Sequence, residues 1–251
     1  MRRHPRTTRP HPCHALVTGG SGHIGAAICH TLADQGIHVW VHAGQQRQRA
    51  EATVARIRQQ GGQAEAIQFD LSDAQATAEA MTALVESQPL AIVVHNAGHH
   101  DDAPMAGMSA QQWQAVIEIN LNGFYRVVQP ALLGMARLRW GRVVAISSVA
   151  ARIGNRGQSN YAAAKAGLHG AVLSLAREMA GRGITANVIA PGLIDTPMVD
   201  AADSERLLAL IPAGRLGTPA EVAALTGFLC SESAGYINAQ VIGVDGGMGP
   251  N

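Results

Sequence analysis

The sequence has 251 residues, 47% of them hydrophobic and 15% charged, with a formal net charge of +1. That balance excludes intrinsic disorder and supplies no field suited to gripping nucleic acid, and the length suits one α/β domain with a sizeable core. No apolar run reaches the roughly 18 residues that a membrane span needs, so no membrane association is expected.

Cys13, Cys29 and Cys230 are odd in number and far apart. This is the pattern of neither a disulfide framework nor a zinc site, and it fits a reducing, cytoplasmic setting. The first twelve residues, MRRHPRTTRPHP, carry charge with no apolar stretch behind it. They read as a disordered basic tail and not as a secretion signal, which leaves residues 13–251 as a single domain.

From Cys13 onward, short apolar runs alternate with longer stretches of helical period. HALVTG precedes an apolar-periodic stretch to Ala33, IHVWVH precedes QRQRAEATVARIRQQGG, AEAIQFD precedes AQATAEAMTALVES, and LAIVVHNAG precedes a long helical segment from Ser109 to Leu138. Then follow GRVVAISS, a helix from Ser159 to Met179, ITANVIAPG, a helix near Ala220 to Leu229, and AQVIGVDGG. Val/Ile-rich strands separated by single helices describe a parallel sheet covered on both faces, because each right-handed crossover lays a helix against the sheet. The expected fold is α/β, a doubly wound sheet of about seven parallel strands. The one long connection, Pro191 to Gly217, is of the kind that acts as a lid.

TGGSGHIG, Thr18 to Gly25, joins the first strand to the first helix. In such a sheet this turn borders the crevice at the strands' carboxyl ends, where helix N–H groups and the helix dipole hold a pyrophosphate. Gly19 permits the tight turn and Gly25 lets the helix pack close. An acid at the end of the second strand would bond a ribose 2′-OH, yet Asp34 precedes that strand and the next acid is Glu51. His42, Arg47 and Arg49 stand there instead, which points to NADP(H).

Tyr161 and Lys165 are four apart within a helical stretch, and Lys165 is the one lysine of the chain. Residues at i and i+4 share a helix face, about 6 Å apart along the axis. A phenol titrates near pKa ~10 and is a poor acid–base catalyst unless a cation stabilises its anion. A lysine ammonium does that as a compact, rotatable donor, which the planar fork of arginine does not reproduce. Ser148 closes the strand GRVVAISS where its hydroxyl can hold a substrate carbonyl, and Asn120 sits mid-helix in INLNG, an unfavourable place for an amide without a packing or water-positioning task.

Together TGGSGHIG, HNAG, INLNG, the serine pair ending in Ser148, Tyr161 thirteen residues on, Lys165 and PGLIDT resemble the short-chain dehydrogenase/reductase family, a Rossmann-type fold, over residues 13 to 249. The resemblance implies a catalytic tetrad of Asn120, Ser148, Tyr161 and Lys165. It also implies cofactor contacts from Gly19, Ser21, His23, Ile24, Gly25, His42, Asp70, Leu71, Asn96, Ala97, Gly98, Tyr161, Lys165, Pro191, Gly192, Ile194 and Thr196. GNRGQSNYAAAKAG and VIGVDGGM look like the 3-oxoacyl-[acyl carrier protein] reductases, and GNRGQ, APGLIDT and SAGYINAQVI resemble those of aryl polyene and related pigment pathways. By that likeness Arg139 and Arg182 contact an acidic acyl carrier protein, and the assembly is a homotetramer.

Three departures from the family pattern stand out. His23 replaces a glycine of the turn, Gly22 occupies the position of a basic residue, and NNAG reads HNAG with His95. GHHDDAP, His99 to Pro104, offers metal-binding residue types, but successive loop residues rarely converge on one ion, so a polar loop at the substrate mouth and no metal are expected. Reduction of another carbonyl (acetoacetyl-CoA, a sugar, a steroid) and a non-catalytic cofactor-binding subunit are the alternatives to the acyl-carrier reading.

Overall fold

A computed structural model describes residues 8–196 and 208–249. Seven strands form one sheet: β1 (His14–Thr18), β2 (His38–Ala43), β3 (Ala64–Gln68), β4 (Ile92–His95), β5 (Gly141–Ile146), β6 (Ile184–Pro191) and β7 (Val241–Val244). Their order is β3-β2-β1-β4-β5-β6-β7 and every pairing is parallel. The doubly wound sheet expected from the alternation is present, with its order reversing between β1 and β4.

Alternate strand residues feed two separate cores, as a period of two requires when both faces are covered. Ala15 and Val17 of β1, Ile92 and Val94 of β4, and Val144 and Ile146 of β5 face one layer of helices: α1 (His23–Asp34), α2 (Arg47–Gln59) and the helix at Pro219–Leu229. Leu16, Val93, Val143 and Ala145 face the other layer, which holds α3 (Ala74–Ser87), α5 (Gly123–Leu138) and α7 (Ser159–Met179). Two short helices, α4 (Ala110–Ile117) and α6 (Ala150–Ile153), lie at the carboxyl end of the sheet, and Pro219–Leu229 is α8.

Local chemistry explains where these helices start. Asp73 caps α3 by accepting from the backbone of Gln75 and Ala76. Ser109 with Gln112 and Thr218 with Glu221 form reciprocal capping boxes at α4 and α8, the latter with proline at its first position.

The segment expected as one helix from Ser109 to Leu138 is interrupted, because Glu118–Asn122 is a wider π-type turn between α4 and α5. Asn120 supplies the physical reason. Its side-chain Nδ2 donates to Val116 O at 2.8 Å, occupying the carbonyl that a backbone N–H four residues on would use, and the ladder slips by one residue.

Of the expected basic tail, residues 1–7 lie outside the described residues. Arg9 is packed: its backbone N–H donates to Glu232 Oε1 at 2.7 Å and its guanidinium to Gln35 O at 2.9 Å, at the end of α1. Of the expected lid, residues 197–207 also lie outside the described residues. At its base, Ile194 and Gly217 form a parallel bridge.

Leu168 of α7 is fully buried in the second core. Leu168→Ala is expected to lower unfolding stability by about 2–5 kcal/mol, read from urea denaturation, because the helix cannot collapse onto the space left.

Candidate active site

The reversal of strand order opens a crevice at the carboxyl ends of β1 and β4, and the glycine-rich turn lines it. Gly19 has φ +65°, and a Cβ on Gly25 would stand 2.1 Å from Gly19 O. Both glycines are obligatory for this turn. Among the described residues α1 begins with no capping side chain at Gly22 and no acid in its first turn. Its leading N–H groups and dipole are therefore open to an anion, and the turn fits a dinucleotide pyrophosphate. Ser21 and Ile24 are partly exposed there and His23 is exposed.

Two side chains hold the turn from behind. Asn96 Nδ2 donates to Thr18 O and Gly19 O, each at 3.1 Å. His42 is 1% exposed, accepts from Gly19 N–H at Nδ1 (3.1 Å) and donates through Nε2 to Phe69 O (2.9 Å). His42 was expected beside the cofactor as a basic group. Instead both ring nitrogens are used inside the protein, and burial holds its pKa down at about 4. It is a neutral brace between the turn and the chain entering Asp70.

The cations nearer the surface divide. Arg47 is paired with Glu51 at 2.8 Å, whereas Arg49 bonds Gln46 Oε1 at 2.8 Å and reaches His23 Nε2 at 3.5 Å. The His23 ring thus turns outward to Arg49, beside an open groove lined by Gln45, Gln46, Arg47, Arg49 and Gln68. Asp70 is exposed and accepts from both the N–H and the hydroxyl of Ser72, which hold its carboxyl below the usual range. Leu71 is buried and its carbonyl accepts from Arg126 at 2.6 Å.

The side chains expected to react lie across the crevice. Ser148 follows β5, and its hydroxyl oxygen accepts from Ala150 N–H at 3.1 Å. The chain beyond it is held by Val149 N–H on Pro191 O at 2.7 Å. Tyr161, in the first turn of α7, has Ser148 for a neighbour; burial pushes its phenol above the ordinary range, the Ser148 hydroxyl opposes this and Asp102 adds to it. Lys165 is 2% exposed, donates to Ile146 O at 2.9 Å and lies 5.6 Å from the Tyr161 ring centroid. Burial lowers its pKa to about 8.

Asn120 completes the group. Its Nδ2 donates to His99 O at 2.7 Å as well as to Val116 O, while its buried Oδ1 finds no partner among the described residues. A Cβ on Gly98 would stand 3.1 Å from that Oδ1 and 3.3 Å from Lys165 Nζ. Gly98 therefore keeps open a point that the two groups share, beside Ala97, whose N–H is bound to Thr18 Oγ1 at 3.0 Å.

The segment after β6 closes the floor. Gly192 N–H donates to Val244 O at 3.0 Å, Asp195 N–H to Gly217 O at 2.8 Å, Ile194 is buried and Thr196 is partly exposed.

The loop His99 to Pro104 frames the mouth. Gln158 donates to Asp102 and Gln112 to Asp101, each at 2.8 Å, and Ala103 N–H donates to Gly157 O at 2.9 Å. His100 lies 3.3 Å from Asp102 and edge-on to Tyr161, with centroids 6.5 Å apart. Sequence reasoning missed this contact between the loop histidine and the tyrosine, for which the sequence carries no spacing signal. Arg139 and Arg182, by contrast, are exposed at the amino ends of β5 and β6, where Gly141 N–H meets Gly183 O at 3.3 Å. They are separated from Ser148 by the length of β5, roughly 17 Å.

Residues 20–249 match the family described as Enoyl-(Acyl carrier protein) reductase. The chain is 44% identical over 236 residues to the 3-oxoacyl-[acyl-carrier-protein] reductase FabG of Aggregatibacter actinomycetemcomitans, covering 93% of this chain and 98% of that one. It is 42% identical to the Staphylococcus aureus protein of that name over 93% and 97% of the two chains. It is 44% identical to the 3-oxoacyl-[acyl-carrier-protein] reductase MabA of Mycobacterium bovis over 93% and 92%. The chain belongs to the short-chain dehydrogenase/reductase family. With that membership it is an oxidoreductase of the carbonyl/hydroxyl pair that uses a nicotinamide cofactor. No helix among the described residues is long and apolar enough to cross a membrane.

The buried histidines give the site a pH signature. His42 and His95, held down at about 4 and about 3, are neutral in the fold, so as pH falls below 6.5 the unfolded chain takes up protons first. Their contribution is complete above 6.5 and lost progressively below it. Urea unfolding is expected to show a loss of about 2 kcal/mol per ring between neutral pH and about pH 5, with a shallower slope in His42→Gln.

Proposed function

We propose that this protein reduces a 3-oxoacyl-[acyl carrier protein] thioester to its 3-hydroxyacyl form with NADPH, in the cytoplasm, within fatty-acid or aryl polyene type biosynthesis. The convergence of Ser148, Tyr161, Lys165 and Asn120 on one crevice carries this reading. The relatives' names support the substrate class. The family description mentions an enoyl reduction, but enoyl reductases of this superfamily space tyrosine and lysine more widely than the single helical turn between Tyr161 and Lys165.

The nicotinamide cofactor, when bound, supplies hydride to C3 of the substrate. The protein's own groups manage the charge and the proton that follow. The Ser148 hydroxyl holds the substrate oxygen, and Tyr161, kept protonated by burial at neutral pH, donates its proton to that oxygen. Lys165 is cationic below about pH 8 and stabilises the phenolate left behind. The point above Gly98 shared by Lys165 Nζ and Asn120 Oδ1 suits a water that returns the proton.

For the 2′-phosphate, Arg49 is the cation beside the turn, with His23 next to it, and the absence of an acid at the end of β2 supports NADPH over NADH. Metal plays no part in this reading.

The distance of Arg139 and Arg182 from Ser148 has a consequence for assembly. An antiparallel pairing of α7 with its copy across a two-fold axis sets the arginine end of one subunit beside the tyrosine end of the next. The homotetramer inferred from the family would thereby serve the acidic carrier with arginines of a neighbouring subunit.

Following NADPH oxidation at 340 nm with acetoacetyl and longer 3-oxoacyl thioesters tests the reading. Tyr161→Phe is expected to lower kcat by about 100- to 10,000-fold on folded protein. Wild-type kcat for reduction is expected to decline as pH rises through about 8, where Lys165 loses its charge; a flat profile there would count against the lysine's role. Replacing Arg139 and Arg182 together by glutamate should raise KM for the carrier-bound substrate about tenfold, while KM for a small thioester changes within about twofold.

A further inference from the structure

We propose that His95 is a positioning residue, whose Nε2–H anchors the widened turn at Asn120 and so aims the Asn120 side chain at the point it shares with Lys165. This rests on the reductase reading above. His95 ends β4 with no solvent exposure, and it stands where the family pattern has asparagine.

Its protonation state follows from its neighbours. Thr18 Oγ1 is 3.0 Å from both Asn96 N and Ala97 N, and backbone N–H groups can only donate. A hydroxyl has two lone pairs, so both are taken and its own proton must be given elsewhere. The remaining hydrogen-bond partner among the described residues is His95 Nδ1, at 3.3 Å. Nδ1 is therefore the bare nitrogen and the ring proton sits on Nε2. Nε2 faces Asn120 O at 3.0 Å, a carbonyl that can only accept. The three contacts agree on a single tautomer.

That carbonyl belongs to the turn Glu118–Asn122, where the helical ladder is widened and carbonyls lose their regular partners. Anchored at its backbone by His95, Asn120 is fixed at its side chain by the two Nδ2 bonds to His99 O and Val116 O. Oδ1 is left as the one acceptor atom of the side chain, presented with Lys165 Nζ over Gly98. Without the ring's Nε2–H, the turn is still widened by the Nδ2 bond to Val116 O but loses its tie to the end of β4, and Oδ1 can shift away from Lys165 Nζ. His95 also packs edge-on to Phe124, with centroids 5.8 Å apart, so the test has to separate anchoring from packing.

Two amides divide the ring's functions. From Cβ, the amide group of asparagine reaches as far as Nδ1, two bonds out, whereas that of glutamine reaches as far as Nε2, three bonds out. His95→Asn keeps the partner for Thr18 and loses the donor to Asn120; His95→Gln does the reverse. The experiment measures kcat and KM for a 3-oxoacyl thioester, NADPH affinity by fluorescence titration, thermal stability, and long-range 1H–15N spectra of histidine-labelled protein, on wild type, both variants and Asn120→Ala.

Anchoring predicts that His95→Asn has a kcat at least about tenfold below that of His95→Gln, with KM and NADPH affinity within about twofold of each other. It also predicts an Nε2–H tautomer for the resonances that disappear in both variants. Equal kcat values in the two variants, with Asn120→Ala impaired, would overturn the proposal and leave the reductase reading standing. Full activity of Asn120→Ala, or a wild type inactive on every 3-oxoacyl thioester, would instead sink the reading on which it rests. Should either variant fail to fold, the wild-type spectrum decides the matter, because a proton on Nδ1 is incompatible with the anchor.

Discussion

Two strands that lie hydrogen-bonded side by side, β1 and β4, send their following segments in opposite directions, one into the glycine-rich turn and the other into the loop above Asn120. That parting creates the crevice, and it also strips both strand ends of the ladder partners they would otherwise have. The Thr18 hydroxyl resolves the shortage by accepting from Asn96 N–H and Ala97 N–H, while Asn96 returns the favour to the Thr18 and Gly19 carbonyls. Leaving such backbone groups buried and unpaired would cost about 1–3 kcal/mol each. The glycine-rich turn and the loop that follows β4 are therefore parts of one hydrogen-bonded unit, and displacement of either is felt by the other.

Electrostatically the unit is built from burial more than from charge pairing. Burial moves Tyr161 up and Lys165 down, so the ordinary order of the two groups is reversed and the ammonium gives up its proton at a lower pH than the phenol beside it. Lys165 can be so buried because Ile146 O accepts a hydrogen bond from its ammonium. The site thus holds a lysine that is charged near neutrality yet shielded from bulk water, where its field on the neighbouring phenol is strongest.

Much of this was legible in the residues themselves. The sheet was readable because Val/Ile runs alternated with helical periods, and Tyr161 with Lys165 because a separation of four has one geometric meaning on a helix. Asn120 was visible as an amide in an unfavourable place, although the widened turn it induces was not, since that depends on which carbonyl its side chain finds. His42 was misjudged for a related reason. A sequence shows that a histidine is present at a strand end, but whether its nitrogens face solvent or two backbone groups is settled by packing alone. The remoteness of Arg139 and Arg182 from the crevice was readable in principle, because each precedes a strand whose far end carries the chemistry.

The solitary lysine gives the molecule an unusual chemical surface. Every exposed cation contributed by the Lys/Arg class is a guanidinium, and the single side-chain amine is sealed at the base of the crevice, 2% exposed. Amine-directed acylation, reductive methylation or bifunctional aldehydes accordingly meet no lysine on the outside of the fold. The ε-amine becomes a built-in gauge of breathing at the reaction centre, since its labelling rate measures how often that centre opens to solvent.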